Sequence, residues 1–171
     1  MLTLTPKPLT AEAFTAYGDV IEIEKADSFE INYGLTRRFH DLANIDISDK
    51  QGKAGFSIFK AQATKLPHHV KVMEYHPLGS QLFYPICNAP FLVLLAPPSK
   101  EINIDRLELF ITNGSQGVNY NKGTWHHYLM PLNKTSDFIV IDRICNDNNC
   151  IEQELRDEII IQLNEEQEQR L

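Results

Sequence analysis

Positive charge and cysteine are scarce in this chain, and no long apolar run interrupts it. Its 16 Lys and Arg face 23 Asp and Glu, for a net charge of -7. A nucleic-acid-binding domain presents a basic face or stripe. None is visible here, so nucleic acid is set aside as a partner. The three cysteines, Cys87, Cys145 and Cys150, are too few and odd in number for a disulfide framework. Cys145 and Cys150 stand close enough for a metal pair, but neither a second pair nor a nearby histidine supports one, so they are read as free or structural thiols. No segment approaches the roughly 20 apolar residues of a membrane-spanning helix. The start, Met-Leu-Thr-Leu-Thr-Pro-Lys-Pro, lacks the basic-then-apolar order of a secretory signal. A cytoplasmic protein without membrane contact is the simplest expectation.

What is present is ordinary in amount and uneven in placement. With 171 residues, 43% hydrophobic and 23% charged, the chain fits one compact domain over 1–171 that can bury a core without disulfides. Residues 151–171 hold seven acidic groups against Arg156 and Arg170, so this tail carries most of the net charge. A solvated face accounts for it.

The pattern predicts a short helix from Thr10 to Tyr17, capped by Thr10 and ended by Gly18. Asp19–Glu24 alternates as a half-buried strand does. From residue 54 onward the chain reads as β. Strands are expected at 55–62, 70–75, 81–86, 91–96, 107–112, 117–120, 125–130 and 137–142. Turn signals such as Asn88-Ala89-Pro90, Asn113-Gly114 and Lys122-Gly123 separate them. Many short strands at regular spacing indicate an antiparallel sandwich or barrel. Ile151, Leu155, Ile159 and Leu163 recur every four residues in a segment without Gly or Pro, which predicts a C-terminal helix over 152–169.

Two stretches carry chemistry. In Glu74-Tyr75-His76-Pro77-Leu78-Gly79-Ser80-Gln81, Glu74 and His76 point to one face of a strand. The Pro77–Ser80 turn brings Gln81 alongside, so carboxylate, imidazole and amide converge. In Asn121-Lys122-Gly123-Thr124-Trp125-His126-His127, adjacent residues face opposite sides, so only one histidine joins a given pocket. His68 and His69 are read as a solvent-facing pair at a strand entry.

These spacings resemble the two motifs of the cupin superfamily: a His-x-His pair with a glutamate five residues on, and Pro-x-Gly-x-x-His. The resemblance selects His126 over His127. It also exposes two departures, since Glu74 stands at a histidine position and Gln81 at the glutamate. The runs Phe39-His40-Asp41-Leu42-Ala43, His76-Pro77-Leu78-Gly79, Phe110-Ile111-Thr112-Asn113-Gly114, Gln116-Gly117-Val118-Asn119-Tyr120, Trp125-His126-His127 and Ile141-Asp142-Arg143 narrow this to the ureidoglycolate lyase family. That resemblance implies a cupin-like β-barrel, mainly β, with a short N-terminal and a C-terminal helix. It also implies a homodimer acting in allantoin (purine) degradation, splitting ureidoglycolate into glyoxylate and urea with a divalent metal, nickel among the options.

The expected site follows. Glu74, His76, Gln81 and His126 form the pocket floor and the ligand set for a metal, and Glu74, His76 and His126 are the catalytic candidates. Arg38, Lys60 and Arg143 are candidates for holding the substrate carboxylate, and His40 is a second-tier candidate for substrate binding. Two rivals stand beside the lyase: a cupin barrel that binds a small acid without catalysis, and a ureidoglycolate hydrolase that releases ammonia.

Overall fold

The computed structural model describes residues 1–169. Its strands are Leu2–Leu4 (β1), Lys7–Pro8 (β2), Gly18–Ile21 (β3), Ser28–Ile31 (β4), Thr36–Phe39 (β5), Lys53–Ala61 (β6), His68–Tyr75 (β7), Gln81–Pro85 (β8), Phe91–Ala96 (β9), Glu108–Ile111 (β10), Gly117–Tyr120 (β11), Trp125–His126 (β12), Met130–Pro131 (β13), Ser136–Ile144 (β14) and Ile151–Ile161 (β15). Two short helices, Ala11–Phe14 (α1) and Glu165–Gln169 (α2), complete the regular structure apart from single 3-10 turns. The larger sheet has the order β1-β15-β7-β12-β9-β10-β2, with β13 also paired to β9. A five-stranded sheet, β3-β11-β8-β14-β6, faces it, and the two curl into a cupin-like half-barrel. Pairing is antiparallel except at the two short strands β1 and β2. β4 and β5 form a separate hairpin. Among the described residues no helix is long and apolar enough to cross a membrane.

Sequence explains most of these elements. Thr10 caps α1 by accepting from the Ala13 N–H at 3.2 Å. Gly18 ends this segment because β3 runs so close to β11 that a Cβ there would sit 1.8 Å from the Asn119 carbonyl oxygen. The unbroken apolar run Phe91–Ala96 is buried on both faces, as a central strand requires. Phe91, Val93 and Leu95 turn inward to meet Phe14, Phe83, Phe110, Val118, Phe138 and Val140 between the sheets. Leu92 and Leu94 turn outward to Met73, Trp125, Met130, Ile159 and Ile161, against which Leu2, Leu4, Ile102 and Ile104 pack.

The tail departs from the expected long helix. Residues Ile151–Ile161 form a strand along β7, and only Glu165–Gln169 is helical. A recurrence of four is an even number, so it marks one face of a strand as well as one face of a helix. The β-branched run Ile159-Ile160-Ile161 favours the strand. A register shift between Glu154 and Ile159 absorbs the acidic middle of the segment, while Ile159, Ile161 and Leu163 are buried. Residues 170–171 of the expected tail lie outside the described residues.

Phe138 is fully buried and meets the Phe91 ring edge-on at 5.1 Å. Phe138→Ala is expected to lower unfolding stability by about 3–5 kcal/mol, read from urea denaturation. A loss under about 1 kcal/mol would mean that this ring does not hold the sheets together.

Candidate functional site

One ladder position sets the site. In the larger sheet Glu74 on β7 lies directly opposite His126 on β12, and on its other side opposite Glu152 on β15. Directly opposed residues on neighbouring strands have side chains on the same face, within contact of one another. His76 follows at the end of β7. The second sequence stretch is stitched to it, because the Gly123 N–H donates to the His76 carbonyl at 3.0 Å. Gly123 has φ +84°, a left-handed conformation that turns the chain into β12 and suits glycine. Gln81 begins β8 in the facing sheet, beside Tyr120 of β11, and the Tyr120 ring stacks on His126 at 4.4 Å.

The four residues expected from sequence meet around one space. Ligand atoms of Glu74, His76 and His126 all lie within 4.8 Å of one another. The His76 and His126 rings are 5.3 Å apart, and Glu74 Oε1 is 3.9 Å from His126 Nδ1. Glu74, Gln81 and His126 border a cavity of about 450 Å³. Phe59, Gln62, Phe83, Tyr128 and Leu129 also wall it. Sequence reasoning did not single these out. Phe83 carried a signal, since it shares the face of Gln81 by the strand period of two.

Hydrogen bonds fix which nitrogen of each imidazole is bare. His76 Nδ1 donates to the Asn149 carbonyl at 2.5 Å, and His126 Nδ1 to the His127 carbonyl at 3.3 Å. Both protons therefore sit on Nδ1, and both Nε2 atoms offer lone pairs. These Nε2 atoms and Gln81 Oε1 are buried without a partner. Buried acceptors normally find donors, so bare ones on His76 and His126, grouped with the Glu74 carboxylate, and on Gln81 of the same cavity fit a cation. Metal-bound histidines show the same pattern, the far N–H tied to a carbonyl.

Burial sets the electrostatics. It pushes His126 from the usual 6.5 down to about 3, with the neighbouring His76 adding to this, so the ring is neutral. Burial raises the Glu74 carboxyl and Glu152 adds to the rise, while His76 and the Cys150 thiol oppose it. Tyr120 is likewise raised by burial, then by Glu74, and keeps its proton.

The remaining candidates sit elsewhere or at the rim. Lys60 lines the cavity, with its ammonium 2.7 Å from Asp137. Sequence spacing puts Lys60 on one strand face with Ile58 and Gln62, turned to the core or pocket; Lys60 and Gln62 do border the cavity, and Ile58 does not. Ile58 is 60% exposed, and it is Phe59 that packs inward on Phe83. Arg38 lies over the Phe29 ring on the β4–β5 hairpin, and His40 meets the same ring. Arg143 is buried and donates to the Asp49 carbonyl through Nε at 2.8 Å. None of these three borders the cavity. His127 departs from expectation in another way. Because β12 is only two residues long, the chain leaves the ladder after His126, and both histidines border the cavity. His127 Nδ1 donates to the Val72 carbonyl at 2.7 Å, and its Nε2 meets His68 Nε2 at 3.0 Å. His68 is therefore a partner of His127 rather than a solvent-facing residue.

A half-barrel with a buried, metal-capable cluster opening on a small cavity is the arrangement of a cupin-type enzyme for small molecules. The chain belongs to the ureidoglycolate lyase family, whose pattern, described as ureidoglycolate lyase, matches residues 1–162. It is 44% identical over 167 residues to the ureidoglycolate lyase of Pseudomonas entomophila (strain L48), covering 98% of this chain and 100% of that protein. The ureidoglycolate lyase of Burkholderia mallei (strain NCTC 10229) is 46% identical over 155 residues, 91% of each chain. That of Pseudomonas paraeruginosa (strain DSM 24068 / PA7) is 46% identical over 152 residues, covering 89% of this chain and 90% of its own.

The buried imidazoles predict acid sensitivity. Burial lowers His126 to about 3 and His127 to about 4, whereas unfolded imidazole titrates near about 6.5. Between these values the unfolded chain binds protons that the folded chain refuses, so stability falls as pH drops. The thermal midpoint of metal-free protein is expected to fall from about pH 7 to pH 5, with a shallower slope in His127→Gln. Equal slopes in the two proteins would contradict the assignment of a buried, neutral His127.

Proposed function

We propose that the protein is a carbon–nitrogen lyase that splits ureidoglycolate into glyoxylate and urea. The observation that carries this reading is the set of three buried, unpartnered acceptors, His76 Nε2, His126 Nε2 and Gln81 Oε1, beside the Glu74 carboxylate. Family membership supports the same reaction and favours urea over ammonia as product.

The substrate carbon bears a carboxylate, a hydroxyl and a ureido nitrogen. Cleavage removes the hydroxyl proton, forms the carbonyl of glyoxylate and expels urea as the carbon–nitrogen bond breaks. The nitrogen takes up a proton, so one proton passes from oxygen to nitrogen without net change. In the metal-free site Glu74 suits this transfer, because burial moves its carboxyl up from its ordinary value; with an ion bound, the same carboxylate would act as a ligand instead. His126 is pushed too far down to accept a proton readily, and serves instead as a neutral lone-pair donor; His76, its Nδ1 tied to the Asn149 carbonyl, presents its bare Nε2 beside it. Two imidazoles, a carboxylate and an amide oxygen suit a borderline divalent ion such as nickel. When bound, such an ion supplies Lewis acidity to the hydroxyl and neutralises charge on the substrate carboxylate. Lys60 at the cavity rim holds the carboxylate by leaving Asp137, with which it pairs in a solvent-exposed and therefore weak contact.

A homodimer is part of this reading. The outer face of the five-stranded sheet exposes Phe56 and Ile58, 67% and 60% accessible, beside half-buried Ile139 and Ile141. They lie on β6, which pairs only with β14 among the described residues. An exposed apolar edge of this kind is normally covered. The unpaired thiols Cys87, Cys145 and Cys150 accord with a reducing compartment such as the cytoplasm.

Purified protein incubated with ureidoglycolate and nickel is expected to release glyoxylate and urea in equal amounts. Glu74→Gln and His126→Ala should each lower kcat by about 100-fold or more while the circular dichroism spectrum is kept. Release of ammonia in place of urea, or wild-type turnover in either variant, contradicts the reading. Ile58→Glu is expected to convert a dimer to a monomer in analytical ultracentrifugation. A wild-type monomer removes that part of the proposal.

A further inference from the structure

The loop joining β14 to β15 reaches two of the proposed ligands through consecutive residues. Asn149 places its carbonyl 2.5 Å from His76 Nδ1, the contact that leaves Nε2 bare. The Asn149 side chain also accepts from the Leu78 N–H at 2.8 Å, which pins the loop to the turn just past His76. Cys150 Sγ lies 3.6 Å from Glu74 Oε2, within reach of an S–H donated to the carboxylate. The other end of the loop is anchored independently. The Arg143 guanidinium contacts Cys145 Sγ and the Asp147 carboxylate, and the Asp147 N–H donates to Cys145 Sγ at 3.2 Å. The loop is thus held at both ends, and its middle presents one acceptor to an imidazole and one donor to a carboxylate.

We infer that Asn149 and Cys150 are positioning residues for the metal-capable cluster, Asn149 fixing the tautomer and direction of His76 and Cys150 fixing the rotamer of Glu74. The inference rests on the reading that Glu74, His76 and His126 hold a divalent ion. Neither residue touches the reacting atoms. An imidazole in water exchanges its proton between two nitrogens and turns about its bonds. A fixed carbonyl at Nδ1 removes both freedoms and directs Nε2 at the space beside Glu74 and His126. For Glu74 the thiol occupies one carboxylate oxygen and leaves the other free to face His126. Partners of this type commonly govern metal affinity by roughly 10- to 100-fold.

The test uses the full chain and Ni²⁺ alone. Long-range proton–nitrogen NMR of metal-free protein should report His76 as the Nδ1–H tautomer. Asn149→Ala keeps the backbone carbonyl but releases the loop from the Leu78 N–H, so it should mix that signal with the Nε2–H form and raise the calorimetric Kd for Ni²⁺ by roughly 10- to 100-fold. Asn149→Asp, which keeps the side-chain acceptor for Leu78, should restore both. Cys150→Ala should weaken Ni²⁺ binding toward the lower end of that range, and Cys150→Ser should not. Thermal melts of each variant separate these effects from loss of fold. An unchanged His76 tautomer and an unchanged Kd in Asn149→Ala overturn the assignment of Asn149, and an unchanged Kd in Cys150→Ala overturns that of Cys150. Absence of Ni²⁺ binding in the wild type would sink the metal reading and Cys150 with it, while the His76 tautomer still decides Asn149.

Discussion

The site depends on one strand register. Glu74 on β7 faces His126 on β12 across a single ladder step. A slip of one residue on either strand would turn the carboxylate or the imidazole to the opposite face. On that face Trp125 packs against Tyr75 at 4.4 Å among apolar neighbours. The register is therefore enforced by burial. A slipped β12 would place the indole among the polar groups of the cavity and a histidine in the apolar layer.

Low polarity then follows from the same packing. Tyr120 covers one face of His126, and the ring is almost inaccessible. In such surroundings an imidazole stays neutral and an unpaired carboxyl is driven toward its protonated form. Neutral imidazoles with a tied N–H make good ligands but poor bases. Under the proposed reading, that separation gives His126 a supporting part and leaves proton transfer to Glu74. Glu152, opposite Glu74 on the other side, adds to the rise of the Glu74 carboxyl, and its own carboxylate accepts from the Tyr128 hydroxyl.

Much of this was legible in the residues. The strands at 91–96 and 117–120 lie where short apolar runs and turn signals put them; Glu74, His76 and His126 come together, and Gln81 borders the same cavity as Glu74 and His126. Local pattern suffices there because the elements are short and their ends are marked by Gly, Pro and Asn. Legibility failed where a pattern was degenerate or a contact was distant. The spacing of Ile151, Leu155, Ile159 and Leu163 fits two periods at once, and the partner strand decided between them. His127 was misplaced because nothing local says that β12 stops after two residues. Arg143 looked available for substrate, but its partners at Asp49 and Lys50 are more than ninety residues away in sequence. Asn149 is in the same position, since its link to His76 spans 73 residues.

The most direct test of the central claim is anomalous diffraction at the nickel edge from crystals soaked in Ni²⁺. The account predicts one strong peak bounded by His76 Nε2, His126 Nε2, Gln81 Oε1 and the Glu74 carboxylate. A peak against Nδ1 of either ring, or no peak between these four side chains, would contradict it.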